Sequence, residues 1–174
     1  MPVAIRNLKR LVADQFDPRE IEVECLEKRE EKVAIIGSDP AGLSATYHLA
    51  RKGIISTIFE ALPEAGGMLR VGIPDYRLPQ EVLDREIEII TNLGVEIKTN
   101  TSLGPELSVD DLLKEGYKAV YLALGAHKGI ELGIPGEKAI GVCQGVDFLR
   151  ELNLTGKTES AIFFYGYPNT WKRL

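Results

Sequence analysis

Two cysteines in 174 residues, Cys25 and Cys143, are too few for a disulfide framework, a zinc centre or an iron–sulfur cluster held by this polypeptide alone. A reducing, cytoplasmic setting is the simplest reading of that scarcity. Positive charge is also short. Twenty-one Lys and Arg against 26 Asp and Glu give a formal charge of −5, with no basic stripe to neutralise phosphates. Nucleic acid is therefore not expected as a partner. No apolar run approaches the roughly 20 residues that cross a bilayer, so no membrane role is expected. The opening "MPVAIRNLKR" is too charged for a secretory signal. Repeats and low-complexity tracts are absent. What remains, 44% hydrophobic and 27% charged, reads as the make-up of a soluble, globular chain.

One more absence is local. "VAIIGSDPAGLSATYHLARKG" (Val33 to Gly53) has the shape of a strand, a tight turn and a helix. The spacing Gly-x-Gly-x-x-Gly expected of a dinucleotide turn is broken, because Asp39 stands in the middle glycine's place.

The periodicities place the elements. Ile5, Leu8, Val12 and Phe16 share one face of an amphipathic helix, which either packs on its own domain or serves as a docking segment. A polar, extended connector follows, with the mixed charges of "EKREEK" (27–32). "KVAIIG" is a strand buried on both faces, and 41–52 is helical. "ISTIFE" is a second strand, completing a crossover unit of a parallel sheet. Residues 61–80 form a long Gly- and Pro-rich loop. Residues 81–93 form a helix with Val82, Leu83, Ile87 and Ile90 inward, capped by Gly94. "VEIKTN" is a third strand and 109–113 a short helix. "KAVYLALGA" (118–126) is a further buried strand, 144–152 is helical, and "SAIFFYG" (160–166) is a last strand. The fold class is thus a Rossmann-like α/β parallel sheet, incomplete, with an N-terminal helical extension. The domain boundaries are 1–31 for the helical segment and linker, 32–156 for the nucleotide-binding domain, and 157–174 for the start of a further domain or a tail.

The chemistry follows from the turns. A pyrophosphate is held at a strand-to-helix turn by free backbone N–H groups and the helix dipole. Gly37 permits the tight turn, and Gly42 lets the helix lie close to the strand. Glu60, at the end of the second strand, stands where a carboxylate accepts from ribose hydroxyls, and an acid there opposes the extra phosphate of NADP. Gly66 and Gly67 offer a second close approach of backbone to ligand, and "LALGA" (122–126) a third. Three such turns suit an extended molecule such as FAD better than NAD. Asp39 opposes all of this. Two unit charges about 5 Å apart at an effective dielectric of about 20 repel by roughly 3 kcal/mol, about two decades in affinity. The whole reading requires a free helix tip with Glu60 close beside it.

The segments "GSDPAGLSATYHLARKG", "FEALPEAGGMLRVGIPDYRLP", "VLDREIEIITNLGVEIKTNT" and "YLALGAHKG…LGIPGE" resemble consecutive parts of one family. It is the small (beta) subunit of NADPH-dependent glutamate synthase, with the corresponding half of dihydropyrimidine dehydrogenase and the larger subunit of NADH-dependent ferredoxin:NADP reductases. The resemblance runs from about Pro2 to about Gly156. It implies an FAD-binding domain whose flavin passes electrons between NADPH and iron–sulfur clusters. It implies that Gly37, Pro40, Ala41 and Gly42 face the pyrophosphate and that Glu60 holds the adenosine ribose. Gly67, Met68, Leu69 and Arg70 are implied to line the flavin side, Leu103 to touch the adenine, and Leu124, Gly125 and Ala126 to close over the cofactor.

"PVAIRNLKR" resembles the tail of the family's helical iron–sulfur domain; past "KTESAIFFYG" the family continues into an NADPH domain opened by a glycine-rich turn, where "AIFFYGYPNTWKRL" offers a single glycine, so the nicotinamide site is expected to be missing. The expectation is therefore a truncated product or fragment, or a chain that a partner completes. NADPH and iron–sulfur clusters enter only through segments outside this sequence or through a partner, such as an iron–sulfur protein or a protein like the glutamate synthase large subunit. A homo-oligomer is an alternative way to cover the open sheet edge. The competing function is a non-catalytic remnant or interaction protein with weak or no FAD binding. A small NAD-binding protein is a third reading.

The remaining residues read plainly. His48 and His127 are structural or solvated rather than catalytic, and no Ser-His-Asp or Cys-His set has local support. Cys143 reads as a small buried residue. Tyr76 and Arg77 either approach the flavin or a partner, or sit in a proline-stiffened surface loop. Trp171, Lys172 and Arg173 read as a disordered tail.

Overall fold

The computed structural model describes residues 3–20 and 22–156. The expected strand at 160–166 and the tail residues Trp171 to Arg173 lie outside the described residues.

Four parallel strands form one sheet in the order β3-β2-β1-β4: β1 (Lys32–Ile36), β2 (Ile55–Phe59), β3 (Glu96–Lys98) and β4 (Ala119–Leu122). In register, Ile35 lies opposite Ile58 on one side and Tyr121 on the other. Alternation along β1 splits the core in two. Ile35 and Ile58 face the layer made by α2 (Pro40–Arg51) and α4 (Gln80–Asn92), packing with Leu43, Leu83, Ile87 and Ile90. Ala34, Ile36 and Phe59 face the other way, onto Leu112 of α5 (Val109–Lys114) and Tyr117. Both faces of β1 are covered, as its unbroken apolar run predicts.

The helix ends follow their local chemistry. Pro40 occupies the first position of α2 behind the N-cap residue Asp39. The backbone turns away after α4 at Gly94, whose φ of +88° lies in the left-handed region. In α5 the Ser108 hydroxyl accepts from the Asp111 N–H at 3.2 Å, and the Asp111 carboxylate accepts from the Ser108 N–H at 3.1 Å. The Ser108 hydroxyl also donates to the Asp111 carboxylate at 2.5 Å, and this bond, followed by the one from the Ser108 N–H, holds the Asp111 carboxyl below its usual range.

Three expectations need correction. The stretch 61–80 is not all loop, because it contains a four-residue helix, α3 (Met68–Val71). Long-range bonds hold it. The Arg70 guanidinium donates to the Ala65 carbonyl at 2.9 Å, to Gln80 at 2.8 Å and to Asp84 at 2.5 Å. Asn153 of α6 (Gly145–Thr155) donates to the Arg70 and Ile73 carbonyls. Second, β4 is not a buried strand. Tyr121 and Leu122 are 46% and 55% exposed, because β4 is an edge strand that pairs with β1 alone among the described residues. Third, α1 (Ile5–Asp14) does not pack on the domain. It buries no residue, and Ile5, Leu8, Val12 and the following Phe16 are all exposed. Among the described residues, no helix is long and apolar enough to cross a membrane.

Candidate functional site

The carboxyl ends of β1, β2 and β4 open into one cleft of about 460 Å³, the crevice where ligands of open α/β sheets collect. Its walls come from three turns. Gly37 ends β1 with φ +103°, a conformation costly for any residue with a Cβ, and a Cβ there would strike the Ala123 carbonyl after β4. Glu60 and Leu62 follow β2, Gly67 enters from the turn before α3, and Leu124 comes from the turn after β4. Leu103 and Thr101 close the side towards β3.

Glu60 is 5% exposed and fully engaged on one side. One carboxylate oxygen accepts from the Ser38 N–H at 2.8 Å and from the Ser38 hydroxyl at 2.5 Å. The other accepts from the Leu62 N–H at 2.8 Å. The Ser38 hydroxyl in turn accepts from the Gly66 N–H at 2.9 Å. A carboxylate has about four acceptor positions, so these three bonds leave one over on a residue that lines the cleft. Ser38, wholly buried, thereby ties the first turn to the end of β2 and to the Gly66-Gly67 turn.

At the tip of α2 the Asp39 carboxylate accepts from the Ala41 and Gly42 N–H groups, both at 3.1 Å. These are the amides an anion at a helix N-terminus would use. The tip is therefore not free, as the sequence reading required. It is capped by the residue that replaces the middle glycine.

The expected site residues divide as follows. Gly37, Glu60, Gly67, Leu103 and Leu124 line the cleft. Ala41 and Gly42 present their N–H groups to Asp39. Gly125 lies beside them: a Cβ there would come within 3.0 Å of the Asp39 Oδ2. Ala126 is exposed, and Met68 is half-buried against Gly72. Pro40 and Leu69 line a separate apolar cavity of about 550 Å³, with Leu43, Tyr47, Val82 and Leu83. Arg70 is buried in its bonds to Ala65, Gln80 and Asp84.

Sequence reasoning passed over Ser38, Lys128 and Arg150, and read His127 as structural or solvated. His127, Lys128 and Arg150 also line the cleft. Arg150 donates to the His127 carbonyl at 2.8 Å and pairs with Asp147 at 3.3 Å. Its Nε is buried with no partner among the described residues. Position 38 carried a signal, since a small hydroxyl residue between Gly37 and the N-cap can reach back to the neighbouring strand. Arg150 carried none, because α6 reaches the cleft only through the fold. Cys143 is exposed rather than buried, as is Cys25. His48, Tyr76 and Arg77 are also exposed.

Comparison with known proteins agrees with this architecture. Residues 35–98 match a family described as an NAD(P)-binding Rossmann-like domain. The chain is 54% identical over 125 residues to the NADP(+)-dependent formate dehydrogenase subunit beta of Moorella thermoacetica, covering 71% of this chain and 18% of that one. It is 38% identical over 152 residues to the glutamate synthase [NADPH] small chain of Escherichia coli, covering 84% of this chain and 31% of that one. The fold superimposes on Mycobacterium tuberculosis FprA in complex with NADPH with a TM-score of 0.64 and 26% identity, over 73% of this chain and 30% of FprA. The chain thus spans less than a third of the length of these relatives.

Proposed function

As a relative of the NADPH-dependent glutamate synthase small chain over most of its length, this chain is, we propose, the FAD-binding module of an NAD(P)H oxidoreductase. The observation that carries the proposal is Glu60, buried at the end of β2 and oriented by Ser38 and Leu62, with one acceptor position left for a ribose hydroxyl. The adenosine half of FAD fits the residues present. Glu60 would take the ribose, Leu103 would pack on the adenine, and Gly37 and Gly67 would line the pyrophosphate side, where the lack of a Cβ makes room for the Ala123 carbonyl and for Asp39. On the β4 side Leu124 would close the cleft, with Gly125 and Ala126 in the same turn, while Met68, Leu69 and Arg70 lie outside this cleft and would meet the flavin only beyond it.

Bound flavin would supply the electron exchange between a hydride donor and an iron–sulfur acceptor, which side chains cannot perform. The protein's share is binding and orientation. Glu60 fixes the ribose and disfavours a 2′-phosphate there, and the apolar side chains exclude water from the adenine. NAD(P)H and the iron–sulfur acceptor would be bound by other segments or by a partner subunit. Residues 1–31 would serve as the link to a preceding domain and 157–174 as the approach to a following one, around the cofactor domain at 32–156.

A second reading has one observation in its favour. The Asp39 cap at the helix tip supports a non-catalytic remnant or interaction protein. Equilibrium dialysis of the purified protein against FAD, read by flavin absorption at about 450 nm, separates the two. Flavin enriched on the protein side at high micromolar FAD is the expected outcome, in line with the two decades of affinity that Asp39 is expected to cost. A colourless protein that leaves FAD unbound at millimolar concentration would refute the module.

A further inference from the structure

We infer that Asp39 is an internal anion holding the phosphate position of the cleft. It would hold the affinity for a phosphate-bearing ligand such as FAD well below what the cleft could otherwise give and leave an uncharged adenine nucleoside unaffected, so that one side chain sets how strongly phosphates are held. The inference rests on reading the cleft as an adenine-nucleotide site.

Three observations converge on this residue. The first concerns donors. Asp39 Oδ1 accepts from both Ala41 N–H and Gly42 N–H at 3.1 Å, so the amides a phosphate would use are already paired with a negative group. The second concerns space. A Cβ at Gly67 would come within 2.8 Å of the Asp39 Cβ, and one at Gly125 within 3.0 Å of Asp39 Oδ2. The side chain therefore stands between the two glycine turns and fills volume that those turns leave open. The third concerns the other end of the cleft. Glu60 is held by Ser38 and Leu62 independently of Asp39, so the ribose position survives whatever occupies the helix tip.

An arriving diphosphate must displace the carboxylate from its two amides and then share the site with its charge. An uncharged nucleoside meets neither obstacle. The cap is also conformationally undemanding. Asp39 has φ −72° and ψ 177°, extended backbone open to any residue, so glycine or asparagine can stand there without strain. Asparagine keeps a carbonyl oxygen for the same two N–H groups but removes the charge, while glycine removes both.

The test compares wild type, Asp39→Asn and Asp39→Gly by isothermal titration with adenosine, ADP and FAD, with thermal melting to verify that each variant folds. ADP and FAD should bind Asp39→Gly about 100-fold more tightly than wild type, with Asp39→Asn in between. Adenosine should bind all three forms within about twofold, since it makes no demand on the helix tip. Equal affinity of wild type and Asp39→Gly for ADP and FAD, with adenosine still bound, would overturn the inference and leave the cleft's assignment standing. Failure of every form to bind adenosine, ADP or FAD would overturn both.

Discussion

Glu60 is a carboxylate taken almost wholly out of water, and it persists because three donors converge on it. Replacing one of its oxygens by an amide nitrogen sets a donor against a donor. Glu60→Gln is therefore expected to cost about 2 kcal/mol of unfolding free energy, read from the urea midpoint. It should also weaken adenosine binding, read by titration. A variant as stable as wild type would mean that the three bonds are not what holds the turn. The residue's type and place were legible in the sequence, because an acid at the end of the second strand has a chemical reason to be there. Its three partners were not, since Ser38 lies 22 residues away and Leu62 belongs to a turn the sequence leaves undefined. Asp39 is the converse case. Its charge was legible in the sequence as a group that would oppose a phosphate. Its role as the N-cap required coordinates, because the same carboxylate had solvent as an alternative.

Among the elements, those with local instructions were the legible ones. In α5 the capping box is written into "SVDD", and the structure realises it. Ser108→Ala should cost about 1 kcal/mol, measurable as a drop in unfolding midpoint. The same box carries a pH signature. The Asp111 carboxyl is held below its ordinary 3.8 in the folded chain by its bonds to Ser108, so its contribution to stability is present above that value and lost as pH falls through the folded one. Melting curves below pH 4 should show this loss in wild type, and Asp111→Asn should flatten that part of the profile. The helix α3 had no such instructions. Four residues cannot sustain a helix by propensity, and this one exists because Arg70 and Asn153 bind its backbone and flanks to α4 and α6. β4 shows the limit of an apolar run, which signals suitability for burial and not the neighbour that would provide it.

At the scale of the molecule, the sheet with its two covered faces is one unit, and α1 stands outside it. Because α1 buries no residue, removing residues 1–16 should leave the unfolding midpoint within about 2 °C of the full chain in differential scanning calorimetry. A larger fall would place α1 in the core. Its apolar stripe was visible from Ile5, Leu8, Val12 and Phe16, but periodicity reports a face and cannot say what that face meets. The sequence by itself determined the parallel α/β sheet, the glycine turns at the strand ends and the acid beside them, because each is encoded within a few residues by sterics and hydrogen bonding. Only the tertiary structure decided that Ser38 reaches Glu60, that Arg70 braces α4, and that Arg150 reaches the cleft. Those outcomes depend on groups tens of residues apart meeting in space, which no local pattern specifies.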